Sequence, residues 1–310
     1  MSSLSDNQFP VSSLQTTSAG WVKSGQPPIL GGALGVCFDP AILVSDGLYR
    51  LYFSWRTKHS IAVVESVDGA TWGKPVICLA PDDGAEWEQE VNRQIVVFKD
   101  GVYHMWYTGQ VFGEGERSAI GYATSTDGRV FRRVLARPVM VPDQPWELSA
   151  VMCPHVEWNG DLRLFQMWYS GGEQYEPDAI GYATSPDGIE WTKHGEPVFS
   201  SDRALAWEQQ KVTACQIVRH GGWHYMFYIG FRNVHQAAIG IARSRDGIMG
   251  WERLPQNPVI SPTPGAWDGE AVYKPTALWD GSQWKLWYNG RQGHVEQIGL
   301  ATRLGEDLWL

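Results

Sequence analysis

Asp39 is the residue whose type and place first call for chemistry. It sits in CFDPAIL, and four similar stretches carry Arg93 (EVNRQIVV), Cys153 (CPHV), Thr213 (KVTACQIV) and Lys274 (EAVYKPTAL) at the corresponding place. A single acid among such positions must be paired or used, because a partly buried carboxylate is otherwise costly. Arg93 and Lys274 are expected to flank it and hold it ionised. With His155, Lys211 and Arg291 they make a cationic, histidine-bearing set. Such clusters bind phosphate or carboxylate through charge-assisted hydrogen bonds, so the set points to a small substrate that carries or uses an anionic group.

The elements that must position these residues show themselves as a repeat. MWYTG at 105–109 recurs as MWYSG at 167–171, MFYIG at 226–230 and LWYNG at 286–290, with a weaker copy, LYFSW, at 51–55. Each copy leads to a second text: AIGYATSTDG, AIGYATSPDG and AIGIARSRDG, decaying to SIAVVESVDG near the start and QIGLATRLGED near the end. Asp-Gly pairs at 68, 127, 187 and 246 set a period of about 60 residues. Each unit holds four strand-like runs, such as CPHVEW, LRLFQMWYSG, AIGYATS and EWTKH, joined by tight Asn-Gly or Asp-Gly turns. Four antiparallel strands repeated radially predict an all-β fold, a single five-bladed β-propeller.

The ends agree with closure. The last unit stops after its third strand, at GLATRL, while GWVKSGQPPIL at 20–30 matches the fourth-strand texts IEWTKHGEPVF and GWERLPQNPVI. The N-terminal strand is therefore expected to complete the last blade and remove an exposed edge. Residues 1–19 read as a flexible N-terminal segment and 20–310 as the propeller domain.

This topology says which positions meet. The start of each first strand and the loop between strands two and three lie at the same end. The first strands thus bring Asp39, Asn92, Arg93, Cys153, His155, Lys211, Thr213, Glu270, Tyr273 and Lys274 to the channel mouth. The loops add, among others, Arg56, Glu173, Tyr175, Asp178, Arg232, His235, Arg291 and Glu296. Charge variety at one end of a repetitive scaffold is the pattern of a grafted site. The recurrent pairs Trp87-Glu88, Trp146-Glu147, Trp207-Glu208 and Trp267-Asp268 read instead as stabilisers of the repeat.

Composition bounds the remaining classes. Hydrophobic residues at 43% and charged ones at 19% describe a chain with a sizeable core, and 17 Trp with 34 Gly suit aromatic strands between glycine turns. A net charge of −9 argues against a nucleic-acid partner. No apolar run is long enough for a membrane span, and the first residues lack a secretory pattern. Cys37, Cys78, Cys153 and Cys215 are not in metal-ligand spacing, so they read as free thiols in a reducing cytoplasm, with no metal and no cofactor expected.

With its five units, Asp39-Pro40 opening the first inner strand, and repeated MWYTG…IGYATS.DG texts, nearly the whole chain resembles the five-bladed glycoside hydrolase superfamily. That superfamily includes families 32, 43, 62, 68 and 130, and the chain resembles a family 43-like glycosidase most. The resemblance implies action on a short furanoside or pyranoside and assigns Asp39 the role of nucleophile or general base. It also implies a second Asp on the second inner strand and a Glu on the third, where this sequence has Arg93 and His155. Glycoside cleavage needs an acid for the leaving oxygen and a base or nucleophile opposite. Glu173 in GGEQYEP, with Tyr175 to orient it, is the expected acid, since a carboxyl among aromatic groups is pushed upward. Glu270 is the second choice. Phosphorolytic members, with one acid and a basic cluster for phosphate, give the alternative enzyme reading, and a non-catalytic glycan-binding propeller gives the third.

Overall fold

The computed structural model describes residues 16–25, 28–173 and 177–309. The architecture is all-β, in sheets of four antiparallel strands. Strand β1 (Trp21–Lys23) comes first in the chain. The first meander is β2 (Cys37–Ser45), β3 (Leu48–Trp55), β4 (Ser60–Ser66) and β5 (Val76–Leu79). The second is β6 (Glu90–Lys99), β7 (Val102–Val111), β8 (Arg117–Ser125) and β9 (Arg132–Arg133). The third is β10 (Ala150–Asn159), β11 (Leu164–Gly172), β12 (Pro177–Ser185) and β13 (Thr192–Lys193), with β14 (Phe199–Ser200) also pairing β12. The fourth is β15 (Lys211–His220), β16 (Trp223–Asn233), β17 (Gln236–Ser244) and β18 (Glu252–Arg253). The last is β19 (Ala271–Trp279), β20 (Gln283–Gln292) and β21 (Val295–Leu304), and β1 pairs antiparallel with β21, Trp21 opposite Arg303.

The first strands β2, β6, β10, β15 and β19 adjoin one another in that order, and β19 also packs against β2. Apolar side chains fill the space between neighbouring sheets. Tyr52 and Val63 of the first meander share a buried cluster with Met105 and Tyr107 of the second, while Leu51 and Phe53 pack with Trp287 and Leu300 of the last. The turns follow the expected chemistry. Asp46-Gly47 and Asp100-Gly101 have positive φ at both residues (52° and 71°, 51° and 79°), as type I′ hairpins require. Residues 16–18, within the segment expected to be flexible, bond to the chain at 256–261: Ser18 Oγ donates to the Gln256 carbonyl at 2.6 Å, and Thr17 pairs with Ile260.

The recurrent Trp-acid pairs tie four of the sheets together. Glu88, Glu147 and Glu208 are fully buried, accept from the hydroxyls of Tyr107, Tyr169 and Tyr228 at 2.6–2.7 Å, and ion-pair with Arg133, Lys193 and Arg253. In the last sheet the acid is Asp268, the hydroxyl is that of Tyr288, and the cation is Lys23 of β1, 2.6 Å away. The N-terminal strand therefore supplies the group that the fourth strand supplies elsewhere. Lys23→Met keeps the stem but leaves Asp268 buried without a counter-charge. This change is expected to lower the unfolding free energy by about 3 kcal/mol in denaturant titration, and Asp268→Asn in the same background should recover part of the loss.

Candidate active site

Each first strand carries one irregularity at the same level. Asp39, Arg93, Cys153, Ala214 and Lys274 all have left-handed backbone, φ between 41° and 54°, and each sits where the pairing register with the second strand slips. Such a bulge bends the strand and re-aims the side chain it carries. The conformation costs about 1 kcal/mol or more for a residue with a Cβ, so something must hold it. Here the fourth residue of the MWYTG-type text does so. Ser54 Oγ accepts from the Arg93 amide at 3.0 Å, Thr108 Oγ1 from Cys153 at 3.1 Å, Ser170 Oγ from Ala214 at 2.8 Å, and Asn289 Oδ1 from Asp39 at 3.4 Å. The copy in MFYIG is Ile229, which has no acceptor to offer. These inter-sheet bonds were legible only as an unexplained Ser/Thr/Ser/Asn position within the repeat.

Thr213, which the sequence aligned with Asp39, stands one residue early: Ala214 occupies the bulge in the fourth sheet. The slip there takes up one residue instead of two, and alternation counted from sequence does not reveal it.

Asp39, Arg93, Cys153 and Ala214 line a cavity of about 230 Å³ at the end of the first strands. Arg56, Lys211, Arg291 and Glu296 complete its charged lining, and Phe38, Phe231 and Tyr273 give it aromatic walls. Asp39 is buried at 7% exposure. One of its oxygens lies 3.9 Å from Arg93 Nε and accepts from Ser54 Oγ at 3.4 Å, and the Gln94 amide donates to its carbonyl at 2.9 Å. Arg93 is fixed in turn by donating to Asn92 and to Gln110, both at 2.7 Å.

The second carboxyl of the cavity is Glu296. Asn289 Nδ2 donates to it at 3.1 Å, and Arg56 lies 3.7 Å from its other oxygen. Burial pushes its carboxyl above the ordinary range, and the charge of Asp39 adds to the shift, against the pull of Arg56, Arg93 and Arg291. Asn289 thus touches both members of the pair, through its oxygen to the Asp39 amide and through its nitrogen to Glu296. In the sequence Glu296 is one of several charged residues of the loop ring, and separation along the chain hides its place in the same cavity as Asp39.

The remaining expected residues divide. Lys211 is 3% exposed, lines the cavity and stacks its ammonium 4.5 Å from the Phe231 ring. Arg291 lines it too, donating to the His235 carbonyl at 2.7 Å and lying 3.4 Å from Glu270. Lys274 is buried in the bulge level, but its charge bears on Cys153 and Cys215; it makes no ion pair with Asp39 among the described residues. His155 is not at this mouth. It stands beyond the bulge, in a separate depression at the other end with Glu157 3.7 Å away, because the slip at Cys153 changes which way the following residues face. Glu173 is exposed and does not line the cavity among the described residues; Glu270 lines a neighbouring groove. Tyr175 lies outside the described residues. All four cysteines are free and buried, no helix is long and apolar enough to cross a membrane, and no cluster of three metal-ligating side chains occurs among the described residues.

The model of the glycosyl hydrolases family 32 N-terminal domain matches residues 37–235. The chain belongs to that family. A curated relative, a 1,2-beta-oligomannan phosphorylase of Thermoanaerobacter sp. (strain X514), is 27% identical over 208 residues, 64% of this chain and 63% of the relative. The chain thus spans less than two thirds of the length of that relative. Among solved structures, an endo-arabinase from Bacteroides thetaiotaomicron VPI-5482 superposes with a TM-score of 0.68 at 16% identity, covering 90% of this chain and 97% of that one. A thermostable family-43 glycoside hydrolase superposes with a TM-score of 0.69 at 19% identity, covering 87% and 90%. The likeness to both is one of fold, the propeller of carbohydrate-active enzymes that the repeats resemble.

Proposed function

We propose that the five repeats close into a five-bladed propeller, completed by the N-terminal strand, and that the cavity at its mouth hydrolyses a short furanoside or pyranoside. The packing of β19 against β2 and the donation of Lys23 to the last sheet support the closure. The observation that carries the chemistry is the pair of carboxyls in one cavity, with Glu296 held toward its protonated form by burial and by Asp39. Two carboxyls whose environments differ divide the acid and base roles between them. Glu296 gives its proton to the glycosidic oxygen as the bond from that oxygen to the anomeric carbon breaks. Asp39 serves the anomeric centre from the other side, as base or nucleophile, and a water supplies the oxygen that ends on the sugar. The aromatic walls suit the C–H faces of a sugar ring. The buried, free thiols accord with a reducing cytoplasm.

A specific observation favours a second reading. Four cationic side chains line the cavity against two carboxylates, a surplus that suits an anion, and the 27% identical relative is a phosphorylase. In that case phosphate, not water, attacks the anomeric carbon. Incubation with β-1,2-mannobiose, arabinobiose and fructobiose, with and without inorganic phosphate, separates the two. Hydrolysis is expected to release free monosaccharide at equal rates in both buffers. Sugar 1-phosphate formed only with phosphate would establish the second reading instead.

A further inference from the structure

The two carboxyls of the cavity meet at a side chain that departs from the repeat. At the fourth place of the MWYTG-type text the other sheets have Ser54, Thr108, Ser170 and Ile229, whereas the last has Asn289. Asn289 is fully buried, in a clamped part of β20. A Cβ on the next residue, Gly290, would collide with Asp268, and the preceding Tyr288 donates its hydroxyl to the same Asp268 at 3.1 Å. Glu296, by contrast, stands near the end of β21, opposite Arg291 and close to the turn at Gly293. A group fixed in the body of the sheet thus reaches an acid at its rim.

The carboxamide has one orientation that satisfies both neighbours. A main-chain N–H donates and never accepts, so Oδ1 faces the Asp39 amide, at 3.4 Å, and Nδ2 is left to face Glu296. Nδ2 donates to Oε2 of Glu296 at 3.1 Å. A protonated carboxyl accepts best at its carbonyl-type oxygen, so this bond makes Oε2 that oxygen and puts the proton on Oε1. Arg56 Nη2 lies 3.7 Å from Oε1, beyond hydrogen-bond reach, and does not displace that proton. A Ser or Thr hydroxyl accepts and donates at a single atom. A carboxamide does so at two, on separate arms of one plane, and so spans the gap between β2 and β21.

We infer that Asn289 is a positioning residue for the carboxyl pair: it holds the bulge that presents Asp39 and directs the transferable proton of Glu296 to Oε1. The inference rests on the reading of Glu296 as proton donor and Asp39 as its counterpart. A donor aimed at a carboxyl favours its charged form, so Asn289 also offsets part of the upward push that burial gives Glu296. The charged and titratable groups that bear on Glu296 are Asp39 of β2, Arg56 after β3, Arg93 of β6, Tyr273 of β19 and Arg291 of β20. All of them stay when Asn289 alone is changed.

Asn289→Ser installs the residue that two other sheets use: it keeps an acceptor for the Asp39 amide and deletes the donor to Glu296. Asn289→Asp matches Asn in shape, keeps the acceptor and sets a second carboxyl against Oε2; it carries the test if the serine variant fails to fold. The readouts are pH profiles of kcat/KM on β-1,2-mannobiose, arabinobiose and fructobiose, with and without phosphate, and denaturant titrations over the same pH range. Asn289→Ser is expected to lower kcat/KM about tenfold, the worth of one hydrogen bond, and to move the alkaline limb upward by about one pH unit. Asn289→Asp should move the limb further. The titrations have a definite sign. The folded-state value of Glu296 rises further above its unfolded one, so Asn289→Ser loses more stability than the wild type as pH climbs through neutrality. That pH-dependent loss should vanish in a Glu296→Gln background. Limbs that stay at the wild-type pH in both variants, whatever their activity, overturn the positioning role and leave the parent reading standing. A wild type that turns over none of the three sugars, or a Glu296→Gln variant that keeps the alkaline limb, overturns the parent reading and this inference with it.

Discussion

Asp39→Asn is expected to lower kcat by ~10²–10⁴-fold while the unfolding transition stays near that of the wild type. The substitution is chosen for its backbone. Asp39 holds φ at 53°, a conformation that Asn adopts as readily as Asp and that most other residues resist. The anchors of the bulge are main-chain bonds, from its amide to Asn289 and to its carbonyl from Gln94, and neither needs the carboxylate. What the variant loses is the charge facing Arg93 and the oxygen able to take a proton or attack a carbon. Asp39→Ala would confound the outcome by straining the turn. Turnover of the amide variant within tenfold of wild type would remove Asp39 from the chemistry. Binding of a disaccharide with most of its affinity kept, by a wild type that never turns it over, would support a glycan-binding module in place of an enzyme.

The order of strands and the end at which the charged lining of the mouth cavity gathers were readable because the repeat text marks both. MWYTG and its copies mark the second strand, the Asp-Gly turns mark the third, and the missing fourth strand of the last unit pointed to residues 20–30. Lys23 shows why the pairing of that strand with the last sheet was legible: the strand has the fourth-strand text, and its lysine takes the place of Arg133, Lys193 and Arg253. Placement within the site was less legible, for a definite reason. A bulge interrupts each first strand at the level of the candidate site, and period-2 reasoning does not survive a bulge. Hence Thr213 was aligned where Ala214 stands, and His155 was placed at the mouth although it faces the far end. The choice of Glu173 followed aromatic neighbours in the sequence, whereas desolvation depends on neighbours in space. Glu296, at the start of β21 with no aromatic residue beside it in the chain, is enclosed by Arg56, Asn289 and the Asp39 strand.

Glu296→Gln should separate activity from stability in opposite directions. In the proposed role of proton donor, Glu296 must be protonated to work, so activity is expected to persist to a higher pH than an ordinary carboxylate would allow and to fall as the pH passes its raised value. The variant should lose ~10²–10⁴-fold in kcat/KM on unactivated disaccharides and lose this alkaline limb. The loss should be smaller on a nitrophenyl glycoside, whose leaving group departs with little help from a proton. Stability runs the other way. The folded-state value is raised, chiefly by burial. As pH climbs from the ordinary carboxylate range, the unfolded chain therefore releases its proton first and the wild type loses stability until the raised value is passed. Gln carries no such proton and can still accept from Asn289. At neutral pH and above, the variant should melt at a higher temperature than the wild type, and the difference should shrink in acid. A variant that is less active yet keeps the alkaline limb would show that the limb belongs to another group. A variant less stable at every pH would show that Glu296 serves as a counter-ion for Arg56, leaving the proton of the leaving oxygen to come from elsewhere.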